Sequence, residues 1–134
     1  MKILGHYREL WDTCGDPQES IRDFLGSDRE RDAALVRAYL DSGVDIISTM
    51  GVDPDVLGGD HTVVDGAGIL TDGEYIWRRD LGYYFDTYDL RLPAEFLDRV
   101  RELDYRVPPI DDERGMEISD FVVPLWTGAQ DRRE

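Results

Sequence analysis

The sequence predicts one α+β domain over residues 1–134, with helices packed on a small, mainly antiparallel sheet. Two apolar runs flank the pair Asp72-Gly73, whose residues tolerate the positive φ that a tight hairpin turn requires. Apolar side chains beyond this hairpin repeat with the period of a helix, and VDIISTM at 44–50 has the β-branched residues typical of a strand. A chain of 134 residues is long enough to bury one modest core.

The N-terminal region predicts two short helices. Residues 1–13 place apolar side chains at helical spacing and predict a short amphipathic helix. A second helix is predicted to begin at Pro17, because proline suits the first helical position and Asp16 before it is a good N-cap. Gly26 is expected to end this second helix.

A longer helix is predicted from Ser27 to about Ser42. Ser27 and Glu30 have the spacing of a capping box, in which the two side chains satisfy free backbone donors reciprocally. The apolar stripe of this helix is Leu35, Val36, Tyr39 and Leu40. Gly43 is expected to stop the helix, and the strand at 44–50 follows.

The region 51–68 is rich in Asp-Pro, Gly-Gly and Asp-Gly pairs, which mark turns. It predicts a long surface loop in which only residues 61–64 form a short strand. The hairpin around Asp72-Gly73 follows, with its strands at 69–71 and 74–77.

Two helices are predicted beyond the hairpin. The first has a stripe at i, i+3, i+4 and i+7, formed by Leu81, Tyr84, Phe85 and Tyr88. The second begins at Pro93, since the residue before a proline avoids helical dihedrals. Its expected buried residues are Phe96, Leu97, Val100 and Leu103.

Beyond this second helix the sequence predicts little regular structure. Residues 111–113 are expected to form an acidic turn. Residues 118–126 predict an edge strand or a docking tail, because Pro124 interrupts an otherwise apolar run. The polar residues 128–134 are expected to fray.

The charge of the chain restricts the partners it can bind. Thirty acidic and fifteen basic residues leave a net charge of −15. Such a field repels nucleic acid, whose binding relies on Lys and Arg contacts to phosphate, and it also repels anionic membrane surfaces. Two explanations stay open: the acidity serves solubility or reflects an acidic proteome, or it speeds association with a basic protein.

The sequence has no recognisable catalytic, phosphate-binding or metal-binding motif. Cys14 is the only cysteine, which excludes an internal disulfide and favours a reducing, cytoplasmic location. His61 lies near Asp60 and Asp65, but the spacing matches no known metal motif, so no metal and no cofactor are predicted. No signal peptide and no membrane span are expected.

Two groups of residues are candidates for binding. An acidic run, either a solvated loop or a contact surface for a basic partner, is formed by Asp111, Asp112, Glu113, Glu117 and Asp120. Tyr83 lies off the helical stripe and is predicted to be exposed, with Asp86 beside it. Tyrosines often anchor interfaces because they supply contact area at a low entropic cost.

The segment TDGEYIWRRDLGYYFDTYDLRLPAEFL resembles small bacterial, chiefly actinobacterial, proteins of unassigned activity. In these proteins a TDG-aromatic-x-W hairpin leads into a DLxYY helix and an LPxEFL helix. The corresponding residues here are Thr71, Asp72, Gly73, Tyr75, Trp77, Asp80, Leu81, Tyr83, Tyr84, Leu92, Pro93, Glu95, Phe96 and Leu97. In size, acidity and architecture such proteins are similar to the immunity proteins that neutralise secreted polymorphic toxins. The resemblance implies no catalytic residues.

The sequence therefore predicts a non-enzymatic, cytoplasmic binding protein that sequesters a basic protein partner, with a toxin-neutralising immunity protein as the specific form. Two alternatives stay open. One is a nucleic-acid mimic that blocks a DNA- or RNA-binding protein, which requires carboxylates spaced like phosphates on one face. The other is a small enzyme of unrecognised type, which a pocket gathering His61 with two carboxylates would favour.

Overall fold

A four-stranded sheet lies at the centre of the computed structural model, which describes residues 1–11, 17–49 and 51–132, with side chains described as far as residue 126. In chain order the strands of the described residues are β1 (Lys2–Ile3), β2 (Val44–Ile47), β3 (Val52–Pro54), β4 (Thr62–Val64), β5 (Ile69–Thr71) and β6 (Tyr75–Arg78). The helices are α1 (Arg8–Trp11), α2 (Ala33–Asp41), α3 (Leu81–Tyr88), α4 (Ala94–Glu102) and α5 (Asp112–Arg132), with a 3-10 helix at Ile21–Phe24.

The central sheet has the strand order β1-β6-β5-β2. β6 pairs antiparallel with β5, β5 pairs antiparallel with β2, and only the short β1 runs parallel to its neighbour β6. β3 and β4 form a separate antiparallel pair. The prediction of an α+β domain with helices on a mainly antiparallel sheet is therefore confirmed.

The predicted hairpin is present, and its turn is held by the side chain of Asp72. Gly73 has a φ of 96°, which is accessible to glycine without strain. Asp72 Oδ1 accepts hydrogen bonds from the backbone N–H groups of Glu74 (3.0 Å) and Tyr75 (2.8 Å). Tyr39 and Arg99 both donate to Asp72 Oδ2, at 2.7 and 3.1 Å, so the turn is also tied to α2 and α4.

Aromatic rings join β6 to α2 and α4. The ring of Trp77 lies 6.2 Å from Tyr39 and 5.8 Å from Phe96, and Tyr75 contacts Phe96 at 5.2 Å between centroids. All four rings are buried, and each such pair contributes roughly 0.5–1.5 kcal/mol beyond its buried area. This cluster is the part of the core nearest to the hairpin.

The predicted helices after the hairpin are confirmed. α3 buries Leu81, Tyr84 and Phe85, and Tyr88 of the same stripe is partly buried. α4 begins immediately after Pro93, which acts as its N-cap residue. The expected apolar residues of α4 are also buried: Phe96, Leu97 and Val100. Leu103, just after the helix, is partly buried.

The predicted helix over 1–13 is largely wrong. The backbone N–H groups of Lys2 and Leu4 donate to Glu74 (3.2 Å) and Ile76 (2.8 Å), so this segment extends the sheet as β1. Among the described residues of this segment, only Arg8–Trp11 is helical. Pairing with a strand distant in the sequence outweighs the local helical pattern here, and Thr13 lies outside the described residues.

The predicted helix from Pro17 is a single 3-10 turn, capped by Ser20. Ser20 Oγ accepts from the N–H of Arg22 (3.2 Å). The carboxylate of Glu9 accepts from Ser20 Oγ (2.5 Å) and from the N–H of Ile21 (2.9 Å), which fixes where the turn begins. Asp16, the predicted N-cap, lies outside the described residues, as does Cys14.

α2 begins at Ala33, several residues after the predicted capping box. Ser27 Oγ donates to the carbonyl of Asp89 (2.9 Å), and Glu30 accepts from Arg101 (3.1 Å), so both box residues contact distant segments instead. Within the predicted stripe, Leu35 is 50% exposed while Val36, Tyr39 and Leu40 are buried.

The predicted loop over 51–68 contains a hairpin. The strand predicted at 61–64 is confirmed as β4, but its partner β3 was not predicted because it ends at Pro54, a residue depleted in strands. β2 ends at Ile47 and is shorter than the predicted strand at 44–50, and Met50 lies outside the described residues.

The largest difference from the prediction is α5, which replaces both the acidic turn at 111–113 and the edge strand at 118–126. Asp111 Oδ1 accepts from the N–H of Arg114 (2.8 Å), as an N-cap does, and acidic residues suit the first turn of a helix. Ile118 and Val122, four residues apart, are fully buried. Pro124 lies inside the helix, where it lacks the N–H that a helical residue donates.

The end of α5 docks on the sheet region through Trp126, whose Nε1 donates to the carbonyl of Ala67 (2.8 Å). The helix continues to Arg132. The side chains of residues 128–132 and the whole of residues 133–134 lie outside the described part of the chain. The fraying predicted for 128–134 therefore stays a prediction.

Candidate functional site

A groove runs between the edge strand β2 and the N-terminal half of α5, and we call it the β2–α5 groove. It has a volume of about 560 Å³ and is open to solvent. Its lining residues are Val44, Asp45, Ile46, Ile110, Asp111, Asp112, Gly115, Met116 and Ser119.

The lining of the groove combines apolar side chains with a carboxylate rim. Met116 is 67% exposed and Val44 is 36% exposed, which is high for large apolar residues. Asp111 and Asp112 stand at the start of α5, and Asp45 stands on β2. An apolar floor with charges at its margin is the usual arrangement of a protein-binding surface.

The predicted acidic run lies at the start of α5, and its members differ in their partners. Asp111 caps the helix, and Glu117 pairs with Arg114 at 2.9 Å. Asp112 and Glu113 are exposed and form no ion pair with any described residue. Asp111 and Asp112 line the groove, whereas Glu113 and Glu117 lie beside it on the same helix.

Most cations of the described chain are occupied by carboxylates elsewhere. Arg101 pairs with Glu30 and Asp32, which joins α4 to the residues before α2. Carboxylates distant in the sequence also pair with Lys2, Arg29, Arg37, Arg79 and Arg99, whereas Arg78 pairs with Asp80, two residues away. Of the carboxylates of the groove, Asp45 is paired with Arg79, whereas Asp111 and Asp112 form no ion pair with any described residue. The unpaired acidic charge of the groove therefore lies at the start of α5.

The other two predicted binding residues, Tyr83 and Asp86, lie on α3 and do not line the groove. Tyr83 is partly buried instead of exposed, because its hydroxyl donates to Asp55 Oδ2 at 2.6 Å. Asp86 accepts from Arg29 (2.8 Å) and Arg37 (3.3 Å). Both side chains are therefore bound within the chain.

Asp55 is the centre of this second arrangement, which we call the Asp55 cluster (Asp55, Tyr83, Tyr84 and Tyr88). Asp55 is 6% exposed, and its carboxylate accepts hydrogen bonds from the hydroxyls of Tyr83 and Tyr88 and from the N–H of Leu57. Tyr84 Oη accepts from the N–H of Val56 at 2.9 Å. The cluster therefore fixes the loop after β3 onto α3.

Two carboxylates near α3 have lowered pKa values. Burial alone would raise the pKa of Asp55, but the hydrogen bonds from Tyr83, Tyr88 and the loop backbone outweigh it. The pKa of Asp86 is lowered chiefly by its hydrogen bond from Arg29. Both groups are thus ionised at neutral pH, with their charge stabilised by the fold.

The surroundings of His61 and Asp80 bear on the predicted alternative of a small enzyme. The ring of His61 lies 6.2 Å from that of Tyr83, but the nearby Asp55 is buried and fully hydrogen-bonded. Asp80 is 1% exposed and pairs with Arg78 at 2.8 Å; burial raises its pKa, while Arg78 opposes that shift. No three His, Cys, Asp or Glu side chains of the described residues are grouped so as to hold a metal ion.

Sequence reasoning identified Asp111 and Asp112 of the groove but missed Val44, Asp45 and Met116. A signal for Met116 was available: reading 112–126 as a helix places Ile118 and Val122 on one face and leaves Met116 off that face. Asp55 was missed because a single aspartate in a turn-rich loop gives no indication of the tyrosines that surround it.

Comparison of the chain with protein-family models, with curated proteins and with solved structures returned no match. The resemblance to actinobacterial proteins and to immunity proteins therefore stays a prediction. Among the helices of the described chain, none combines the length and the apolar character that crossing a membrane requires.

Proposed function

We propose that this chain is a non-enzymatic binding protein that sequesters a basic protein partner, with neutralisation of a toxin, as by an immunity protein, as its specific form. The observation that carries the proposal is the β2–α5 groove. It joins exposed apolar side chains to Asp111 and Asp112, which form no ion pair with any described residue.

Each part of the groove has a separate contribution to binding. Burying Met116 and Val44 under a partner removes apolar area from water, at roughly 25 cal/mol per Å². The carboxylates at the start of α5 attract a basic surface, which raises the association rate at low ionic strength. Affinity therefore comes mainly from the apolar floor, and partner selection comes mainly from the rim.

The mechanism that follows is steric occlusion in the cytoplasm, with the partner's active or binding surface covered by this face of the chain. It requires no chemistry from the chain itself. The nucleic-acid mimic and the small enzyme stay alternative predictions.

Capture of a partner from the cell that encodes the chain tests the proposal. The immobilised protein is expected to retain one basic protein at low salt, and to lose it when Asp111→Asn, Asp112→Asn and Glu113→Gln are combined. The asparagine at 111 keeps the ability to cap α5.

A matched control separates the groove from the overall charge. The combination Asp28→Asn, Asp98→Asn and Glu102→Gln removes the same charge from exposed acids that form no ion pair within the described residues. This control should retain the partner almost fully. Equal loss with both variants, or recovery of no basic protein at low salt, would contradict the proposal.

A further inference from the structure

β2 is the last strand of the central sheet, and its outer side has no strand partner among the described residues. Its inner side pairs with β5. The outer backbone N–H and C=O groups of an edge strand are therefore available to a further strand.

The β2–α5 groove follows this edge. Successive side chains of a strand point to opposite faces of the sheet. The groove nevertheless contacts Val44, Asp45 and Ile46, three successive residues, so it runs along the backbone edge and not over one face. On the opposite wall, Gly115 has no side chain, and a Cβ added there would meet nothing within 4 Å, so the groove has open space at this position.

The charges and the irregularity of β2 restrict what can pair with it. The register of β2 against β5 shifts between Asp45 and Ile47, as in a β-bulge. Bulges and charged residues on an edge strand discourage pairing between identical chains. Repulsion between acidic copies adds to this. Asp45 of β2 is already paired with Arg79, so a basic segment is attracted by the unpaired Asp111 and Asp112.

We propose that the partner of the chain adds an extended, basic segment to the outer edge of β2. Lysine or arginine side chains of that segment meet Asp111 and Asp112, and its apolar side chains lie against Val44 and Met116. The inference rests on the proposed function, because it names the part of the basic partner that the groove receives. Backbone hydrogen bonds would supply the binding and the pockets beside them the specificity.

The test uses a short peptide of alternating lysine and valine as the probe, with the full chain isotopically labelled for NMR. At low salt, binding should slow hydrogen exchange of those amides in 44–47 that do not donate to β5, by roughly fivefold or more, since each gains a hydrogen bond. Combining Asp111→Asn with Asp112→Asn should weaken peptide binding by about threefold to tenfold.

Two control peptides make the result decisive. The same peptide with N-methyl groups on alternate residues cannot form the ladder and should bind much more weakly, and a glutamate-valine peptide should not bind. Equal binding of the N-methylated peptide, unchanged exchange at 44–47, or no binding of the lysine-valine peptide would each overturn strand addition.

These outcomes are separable from the test of the proposed function. If the captured partner is lost with the Asp111, Asp112 and Glu113 variant while the N-methylated peptide binds as well as the unmodified one, the binding function stands and strand addition is wrong. If the peptide protects β2 but no basic partner is captured, the edge property stands and the proposed function is wrong.

Discussion

The Asp55 cluster and the β2–α5 groove differ in where their polar groups find partners. The sequence marks residues for binding in both parts of the molecule: Tyr83 of the Asp55 cluster with Asp86 beside it on α3, and Asp111 and Asp112 on α5. In the first region, hydroxyls and carboxylates are bound by other side chains of the chain. In the second, Asp112 and its neighbour Glu113 face solvent. Acidic or aromatic residues are therefore candidates for an interface only where no other group of the chain binds their polar atoms.

The largest expected effect is on stability, from Asp55→Asn. The substitution replaces a buried carboxylate that accepts from two tyrosine hydroxyls and from backbone N–H groups. Hydrogen bonds to a charged group contribute more than neutral ones, so the free energy of unfolding should fall by about 2 kcal/mol. Urea denaturation followed by far-UV circular dichroism measures this change.

Asp60→Asn is the matched control for Asp55→Asn, because Asp60 lies in the same connection and is exposed. Its effect should stay within about 0.5 kcal/mol. Equal effects of the two substitutions would mean that the Asp55 cluster does not hold the loop.

The second effect is on binding, from the combined Asp111→Asn, Asp112→Asn and Glu113→Gln variant. Its affinity for the captured partner should fall about tenfold at low salt and by less at high salt, because screening weakens exposed charges. Its stability should change by less than about 0.5 kcal/mol. Calorimetric titration at two salt concentrations, with the Asp28, Asp98 and Glu102 variant beside it, measures both trends.

Tyr83→Phe separates the two regions most simply. Loss of the hydroxyl that donates to Asp55 should lower the free energy of unfolding by about 1 kcal/mol. The affinity for the partner should not change, because Tyr83 does not line the groove. A variant of normal stability with a large loss of affinity would restore Tyr83 as a binding residue.

The smallest effect concerns Asp86 and its dependence on pH. Its folded-state pKa is lowered by Arg29, so ionised Asp86 stabilises the fold above the unfolded pKa of about 4. Asp86→Asn should therefore cost at most about 0.5 kcal/mol near neutral pH, since the ion pairs are partly exposed. The difference should vanish as the pH falls through the lowered pKa, which paired denaturation curves measure. A difference that persists at low pH would show that the pair is not its source.

The fold was predictable wherever the local signals and the tertiary contacts agree. The turn at Asp72-Gly73 and the stripe of α3 form as their sequences predict. Ser27 and Glu30 do not form the predicted capping box, because their side chains bond to Asp89 and Arg101 in the folded chain. Residues 118–126 do not form the predicted edge strand, since burial of Ile118 and Val122 in a helix outweighs the unfavourable Pro124.

Of the candidate site, the sequence predicts only the acidic residues Asp111 and Asp112, which lie in a run of carboxylates. The apolar floor depends on α5 lying beside β2, which brings Met116 and Val44 to one groove from positions more than half the chain apart. No pattern of neighbouring residues in the sequence indicates that contact.

Hydrogen exchange of the full chain bound to its captured partner tests most directly whether the groove is the binding face. The amides of 44–47 and 110–119 should exchange more slowly in the complex, and those of 83–88 should be unchanged. Slower exchange confined to 83–88, with 44–47 and 110–119 unaffected, would contradict the account and assign binding to α3.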